Sequence, residues 1–351
     1  MGFTLRGASR KKKTGIVVSG VLGLVLAGGG VAFAAGAFDD WRDSRSVSSA
    51  CGELLDHTEA KQLLGAPRLQ GEKKGALSCE VSDPGDGLAS LDVRVQRAGS
   101  GERVLAALGR ADTHRGAQTV SPVGGTWPAV LNTGDESAYA GAYLACDKGT
   151  GDDFVVSVAA HRDPSAQPLN TPDQRASLAR TVTGALRSAA NRQGCPAPGA
   201  SPVNHVPKDT VRQLKRAPEM TGTCAGTGSR GYETAADGSA PIEDCLLADA
   251  KGNPRFRLSA SYGPYVNAVR SETIRGSTLQ GLSGGKDGKG GKDGTYWTSA
   301  TCPGSKALYV IEPLDDGDRF AAADPPLEKR ALSAFATASA ERHGCRAPSG
   351  R

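Results

Sequence analysis

Asn191-Arg192-Gln193-Gly194-Cys195-Pro196-Ala197-Pro198 returns later in the chain as Glu341-Arg342-His343-Gly344-Cys345-Arg346-Ala347-Pro348. Each phrase closes a set of four cysteines. Cys51, Cys79, Cys146 and Cys195 form the first set, and Cys224, Cys245, Cys302 and Cys345 form the second. A pattern repeated at this scale reads as one disulfide-bridged domain present twice. All eight cysteines are even in number and none lies in a Cys-x-x-Cys pair. This favours an oxidising compartment over a zinc ribbon or a thioredoxin-like redox site.

Helix signals run into each closing phrase. Over residues 171–192, Thr171 is an N-cap, Pro172 suits the first turn and Gln174 completes a capping box. Leu178, Val182, Leu186 and Ala189 make the apolar stripe, and Gly194 is the stop. In the second repeat Asp324-Pro325 opens the matching helix, Leu327, Ala331, Phe335 and Ala338 form its stripe, and Gly344 ends it. Shorter helices are expected at 58–64, capped by Thr58, and at 101–110, with Val104, Leu105 and Leu108 on one side.

Strand signals repeat as well. After Cys79 a turn at 83–87 precedes Leu91, Val93 and Val95, which alternate with polar residues; after Cys245 a turn at 251–254 precedes Phe256, Leu258, Ala260 and Tyr262. Residues 137–146 with 154–159, and 296–302 with 307–312, form the second hairpin of each repeat. The predicted fold class is α+β: two related tandem domains, each an antiparallel sheet with helices on one face. Within each set, four cysteines allow three pairings. The favoured one is Cys51–Cys79, Cys146–Cys195, Cys224–Cys245 and Cys302–Cys345, since a bridge from the long helix to the strand ending at Cys146 or Cys302 clamps helix to sheet.

Of the 42 bases, Arg6, Arg10, Lys11, Lys12 and Lys13 sit in the first thirteen residues without an acid, so the remaining bases balance the 37 acids. The basic character therefore marks a membrane flank and gives no argument for nucleic acid. Residues 14–38 carry no charge and end at Asp39-Asp40. As a helix this stretch would rise roughly 37 Å, enough to span a bilayer. The positive-inside bias places the N-terminus in the cytoplasm and the rest outside the cell membrane, a single-pass topology. The alternative is a signal peptide cleaved near Ala34, where Ala32-Phe33-Ala34 has the small-x-small form. No cysteine directly follows the apolar run, so a lipid-anchored start is not expected. Ser19, Gly23 and Ala27, and Gly28, Ala32 and Gly36, recur at four-residue spacing, which admits a homodimer through the anchor helix. The organisation is a basic tail (1–13), the span (14–38), a juxtamembrane linker (39–50), domain one (51–198), a proline-rich linker (199–208) and domain two (209–348).

The run Cys51-Gly52-Glu53-Leu54-Leu55, followed by Glu59-Ala60-Lys61-Gln62-Leu63-Leu64-Gly65, resembles the opening of cysteine-bridged actinobacterial extracytoplasmic lipoprotein domains. The overall layout is similar to the extracellular sensor domains of actinobacterial receptor-type serine/threonine kinases. These resemblances imply an antiparallel sheet with helices and two disulfides per domain, outside the membrane.

No pattern assigns a catalytic residue, a cofactor or a metal. Gly281-Leu282-Ser283-Gly284-Gly285 matches the nucleophile-elbow form, but a Gly/Lys/Asp run to Gly294 follows where a helix is needed; that run is expected to be a mobile loop. Gly226-Thr227-Gly228-Ser229-Arg230-Gly231 matches Gly-x-Gly-x-x-Gly without a preceding strand or a following helix. His57, His114, His161, His205 and His343 have no metal-ligand spacing, and His57 and His343 sit at helix ends where structural roles suffice. Asp152-Asp153 and Asp315-Asp316-Gly317-Asp318 lack the spacing of a calcium loop. Trp127 and Trp297 lie in comparable regions, ahead of the third cysteine of each repeat, and read as core residues. The expectation is a membrane-anchored binding, sensor or interaction protein of the bacterial envelope, with a protein or small-ligand partner. The alternative is an extracytoplasmic hydrolase whose site is assembled from distant residues.

Overall fold

In the computed structural model the described residues are 36–351 apart from 86, 109–118, 147–152, 197, 199–201, 208–212, 272, 275–276, 279–287, 290–294, 316–319, 347 and 349–351. Residues 36–51 form a helix, α1. The stretch 39–50, read as a juxtamembrane linker, lies within it. Among the described residues no helix is long and apolar enough to cross a membrane, and residues 14–35 lie outside them.

The first repeat contains α2 (His57–Leu64), β1 (Gln70–Gly75), β2 (Ser78–Ser82), β3 (Ser90–Arg97), α3 (Gly101–Ala107), β4 (Ser121–Pro122), β5 (Ala129–Thr133), β6 (Ser137–Leu144), β7 (Phe154–His161) and α4 (Pro172–Gln193). The second contains β8 (Gly231–Glu233), β9 (Ile242–Ala248), β10 (Pro254–Tyr262), α5 (Pro264–Ser271), β11 (Thr273–Ile274), β12 (Ser277–Thr278), β13 (Gly288–Lys289), β14 (Tyr296–Cys302), β15 (Ser305–Pro313) and α6 (Pro325–Arg342).

Both sheets are antiparallel and share one topology. The first has the order β1-β2-β3-β7-β6-β5-β4, and the second, read from β8, the order β8-β9-β10-β15-β14-β13. Thus β2 corresponds to β9, β3 to β10, β6 to β14 and β7 to β15, with a short helix after β3 and after β10. The repeated cysteines marked a repeated fold. Gly288 and Lys289, inside the stretch read as a loop, pair with Trp297 and Tyr296 on the edge of the second sheet.

The four disulfides are Cys51–Cys79, Cys146–Cys195, Cys224–Cys245 and Cys302–Cys345. Every bridge stays within its repeat. The two closing phrases also fold alike: the Cys195 N–H donates to Ala190 O and the Cys345 N–H to Ala340 O, both at 2.9 Å, while Gly194 and Gly344 take left-handed φ of 68° and 63°. The Cys302–Cys345 bridge closes a separation of 43 residues. Replacing both cysteines by serine should cost about 4 kcal/mol in a denaturant melt, chiefly by freeing the unfolded chain. A loss under about 1 kcal/mol would mean that packing alone holds the end of α6.

Local signals held in kind and shifted in detail. The cap of α2 is Asp56, whose carboxylate accepts the Thr58 N–H at 2.8 Å and the Glu59 N–H at 3.2 Å; Thr58 lies inside the helix. Thr171 caps α4 by accepting the Gln174 N–H at 3.4 Å, but the Gln174 side-chain oxygen is buried without a partner, so the reciprocal half of the capping box is not made. Leu178, Val182, Leu186 and Ala189 are fully buried as the stripe requires. In α6 the buried stripe turns away from the expected line: Leu332, Ala336 and Ala340 join Ala331 and Phe335 in the core, while Ala338 is half-buried.

Each sheet buries one face against the long helices of its own repeat. Cys79, Val81, Leu91, Val93, Val156 and Val158 meet α2 and α4 in the first core. Cys245, Leu258, Ala260, Tyr309 and Ile311 meet α6 in the second. The opposite faces are also covered, so helices do not lie on one face only. Val104 and Leu105 of α3 and Leu108 just after it, with Val130 and Val155, pack against Tyr265, Val266 and Val269 of α5, with Ile242, Trp297, Leu308 and Val310, in a third core shared by both repeats. The layer order is long helices, first sheet, α3 beside α5, second sheet, α6. Equivalent helices of the two repeats thus touch each other, as the same patch of two copies does in an isologous pair. Trp127 belongs to the first core and Trp297 to the shared one, so the two tryptophans are not counterparts.

Candidate functional site

Where α3 and α5 begin, the shared core opens into a cleft of about 470 Å³, a volume suited to a small ligand. It is framed by corresponding segments of the two repeats. The turn after β3 contributes Ala98, Gly99 and Gly101, and the turn after β10 contributes Gly263 and Pro264 with Asn267 of α5. The end of β6 contributes Tyr143 and the β6–β7 connection Asp153, and the β14–β15 turn contributes Gly304 with Ser305 and Lys306 at the start of β15.

The floor depends on two glycines that allow backbones to approach. A Cβ on Gly263, which has φ +57°, would stand 2.8 Å from the Tyr143 ring, and one on Gly101 would stand 3.1 Å from Pro264 O. A side chain at Gly263 would run into the Tyr143 ring, and one at Gly101 would require its neighbour to give by a few tenths of an ångström. The walls carry the polar groups. The Asp153 carboxylate accepts the Tyr143 hydroxyl at 2.9 Å and the Cys146 N–H at 3.1 Å. Burial first, then the hydrogen bond and negative charge of Asp153, push the Tyr143 phenol well above its ordinary pKa. Tyr143 therefore stays a neutral hydroxyl. Lys306 stands exposed at the start of β15 on the opposite side and supplies a cation. The Asn267 amide offers donor and acceptor together. Among the described residues no histidine or cysteine lines the cleft. The hollow is rimmed by polar groups.

A second polar cluster is enclosed in the second repeat. Glu243 on β9 receives Arg342 Nη2 at 2.8 Å and Nε at 3.1 Å, and Ser339 Oγ at 2.5 Å. Tyr262 shares a 2.6 Å hydrogen bond with Ser339 and stacks on His343 at 3.7 Å. His343 Nε2 lies 3.6 Å from Glu243, too long for a hydrogen bond, so it acts through charge when protonated. Burial opposes ionisation of Glu243, yet His343 and Arg342 outweigh it and bring the carboxyl down to about 2. With Glu243 at 1% exposure this cluster has no route to a ligand and fastens α6 to β9.

The remaining sequence candidates disperse. His57 opens α2 with its Nε2 buried and unpartnered, His161 Nδ1 faces Ser137 Oγ at 3.0 Å, and His205 is exposed. His114, Asp152, 281–285 and 316–318 lie outside the described residues. Residues 226–230 run irregularly from a turn, in which the Thr227 N–H donates to Cys224 O, into β8, which begins at Gly231. Among the described residues no group of three or more His, Cys, Asp or Glu side chains is placed to hold a metal ion. Of the 199–208 segment, Val203 and Val206 are buried in the first core. Tyr143, Asn267 and Lys306 were not singled out by sequence reasoning. The available signal was paired: glycines after β3 and after β10, each followed by a short apolar helix.

Comparison of the chain with family models, with curated protein sequences and with solved structures gave no match. The functional reading therefore rests on the geometry above.

Proposed function

We propose that the chain is a binding or sensor protein of the bacterial cell envelope, held by one N-terminal span, with its ligand site in the cleft between the repeats. The observation that carries this reading is the construction of the cleft: corresponding loops of two copies converge on one polar-rimmed hollow, with a carboxylate on one side and an ammonium on the other. Four disulfides support export to an oxidising compartment. The basic tail and the uncharged run 14–38 support retention at the membrane with the C-terminus outside.

The test is a thermal-shift screen of the full chain in detergent against soluble muropeptides released from cell wall by a muramidase. A fraction present at 100 times its dissociation constant should stabilise the protein by about 2.7 kcal/mol. Lys306→Glu, an exposed substitution, should remove that shift without changing the unliganded melting temperature. A shift that survives Lys306→Glu would place the ligand elsewhere, and no shift with any fraction would count against a muropeptide ligand.

A further inference from the structure

The start of α1 presents two faces with different tasks. Asp43, Ser46, Val47 and Ala50 recur at i, i+3, i+4 and i+7 and hold the helix to the first domain. Asp43, 3% exposed, accepts Arg68 Nη2 and the Leu69 N–H, each at 2.9 Å; Ser46 Oγ accepts the Gly71 N–H at 3.0 Å; and Val47 is fully buried. A Cβ on Gly71 would lie 2.8 Å from both Ala50 Cβ and Ser46 O, so helix and β1 are in close contact. Cys51 then locks the end of α1 to β2.

Phe38, Trp41, Arg42 and Arg45 recur at the same spacing five residues earlier, which turns them about 140° from the docked face. Phe38 and Trp41 are 58% and 54% exposed, although the remaining tryptophans are buried. Their rings lie 5.8 Å apart and the Arg45 guanidinium sits 5.4 Å over the Trp41 ring. The acids of this segment turn elsewhere: Asp40 pairs with Lys61 at 2.5 Å and Asp39 with Arg68 at 3.1 Å, and Asp39 reaches Arg42 only at 3.9 Å. The outward face is thus aromatic and basic, and it begins where the uncharged run 14–38 ends.

We infer that this face lies in the headgroup layer of the membrane, with Phe38 and Trp41 at the acyl boundary and Arg42 and Arg45 against the phosphates of anionic lipids. Aromatic residues are the usual occupants of that layer on either side of a bilayer, and arginines form bidentate charge-assisted hydrogen bonds with phosphate while their stems lie along apolar surface. The inference rests on the anchored reading above. It adds that the first domain is held against the bilayer by a docked helix, which sets its orientation, instead of hanging from a flexible tether.

The test uses the full chain reconstituted in vesicles of phosphatidylcholine with one-quarter phosphatidylglycerol. Acyl chains are brominated near the headgroup in one preparation and near the tail end in another, and flotation is measured in parallel. Trp127 and Trp297, 1% and 9% exposed, supply the protected background. Headgroup-proximal bromine should quench the emission more than tail-end bromine, and Trp41→Phe should abolish the difference. Arg42→Gln with Arg45→Gln should weaken the quenching, as should omission of phosphatidylglycerol. A chain that floats while Trp41 stays unquenched would overturn the inference and leave the anchor standing. Quenching unaffected by the arginine changes would overturn the phosphate contacts. A chain that does not float would overturn both the anchor and the docking.

Discussion

Glu243→Ala is expected to destabilise the protein by about 3–5 kcal/mol, because it leaves the Arg342 guanidinium and the Ser339 hydroxyl facing a cavity where a carboxylate had paired them. In a chain of 351 residues each kcal/mol corresponds to roughly 1–2 °C of melting temperature, so a fall of about 4 °C or more should be seen by calorimetry. The pH dependence identifies the cause. The Glu243 carboxyl is held at about 2 when folded, against an ordinary value of 4.5. A folded value below the unfolded one means that the stabilisation is complete above pH 4.5 and is lost as pH falls toward about 2. The difference between wild type and Glu243→Gln should therefore narrow over that acid window. A difference that stays constant across it would assign the effect to packing and not to charge.

Tyr265→Ala should cost about 3–5 kcal/mol as well, by emptying the centre of the core shared by the repeats. The Tyr265 side chain is fully buried, and its hydroxyl reaches Ala142 O of the other repeat at 3.4 Å. The structural consequence is more specific than the loss of stability. With the shared core intact, both sheets should unfold in one calorimetric transition. With its centre removed, the α6 and α4 cores remain closed by their own disulfides, and two transitions should separate. A lowered but still single transition would show that the polar contacts across the seam, such as the Val120 N–H to Asp244 at 2.9 Å and Ser239 Oγ to Trp127 O at 3.2 Å, suffice to couple the repeats.

The same seam explains which parts of the fold were legible in the residues. Helix ends at Thr171 and Asp324, hairpin turns, and the bridge from each long helix to its sheet depend on neighbours in the chain or on a repeated phrase. The second sheet faces do not. On β10 the alternation of Phe256, Leu258, Ala260 and Tyr262 with Arg257, Ser259 and Ser261 describes one buried face and one wet face, yet Arg257, Ser259 and Ser261 are 1%, 4% and 1% exposed. Arg257 can be buried because Glu312, directly opposite on β15, accepts its Nε at 2.7 Å. Alternation shows that two faces differ; it does not show what lies over the polar one. The cleft was hidden for the same reason, since Tyr143 and Lys306 lie in different repeats and meet only once α3 and α5 are side by side.

From its residues alone this chain declared a duplicated, oxidised α+β module behind a basic, apolar leader, because caps, periodicity and cysteine spacing are short-range or repeated signals. Tertiary structure decided that the two modules fuse through a common core, that residues 39–50 are a docked helix, and that the seam holds a cleft. Those outcomes depend on which surfaces come into contact, and the burial of a paired charge or an isologous helix contact has no signature in any single stretch of sequence.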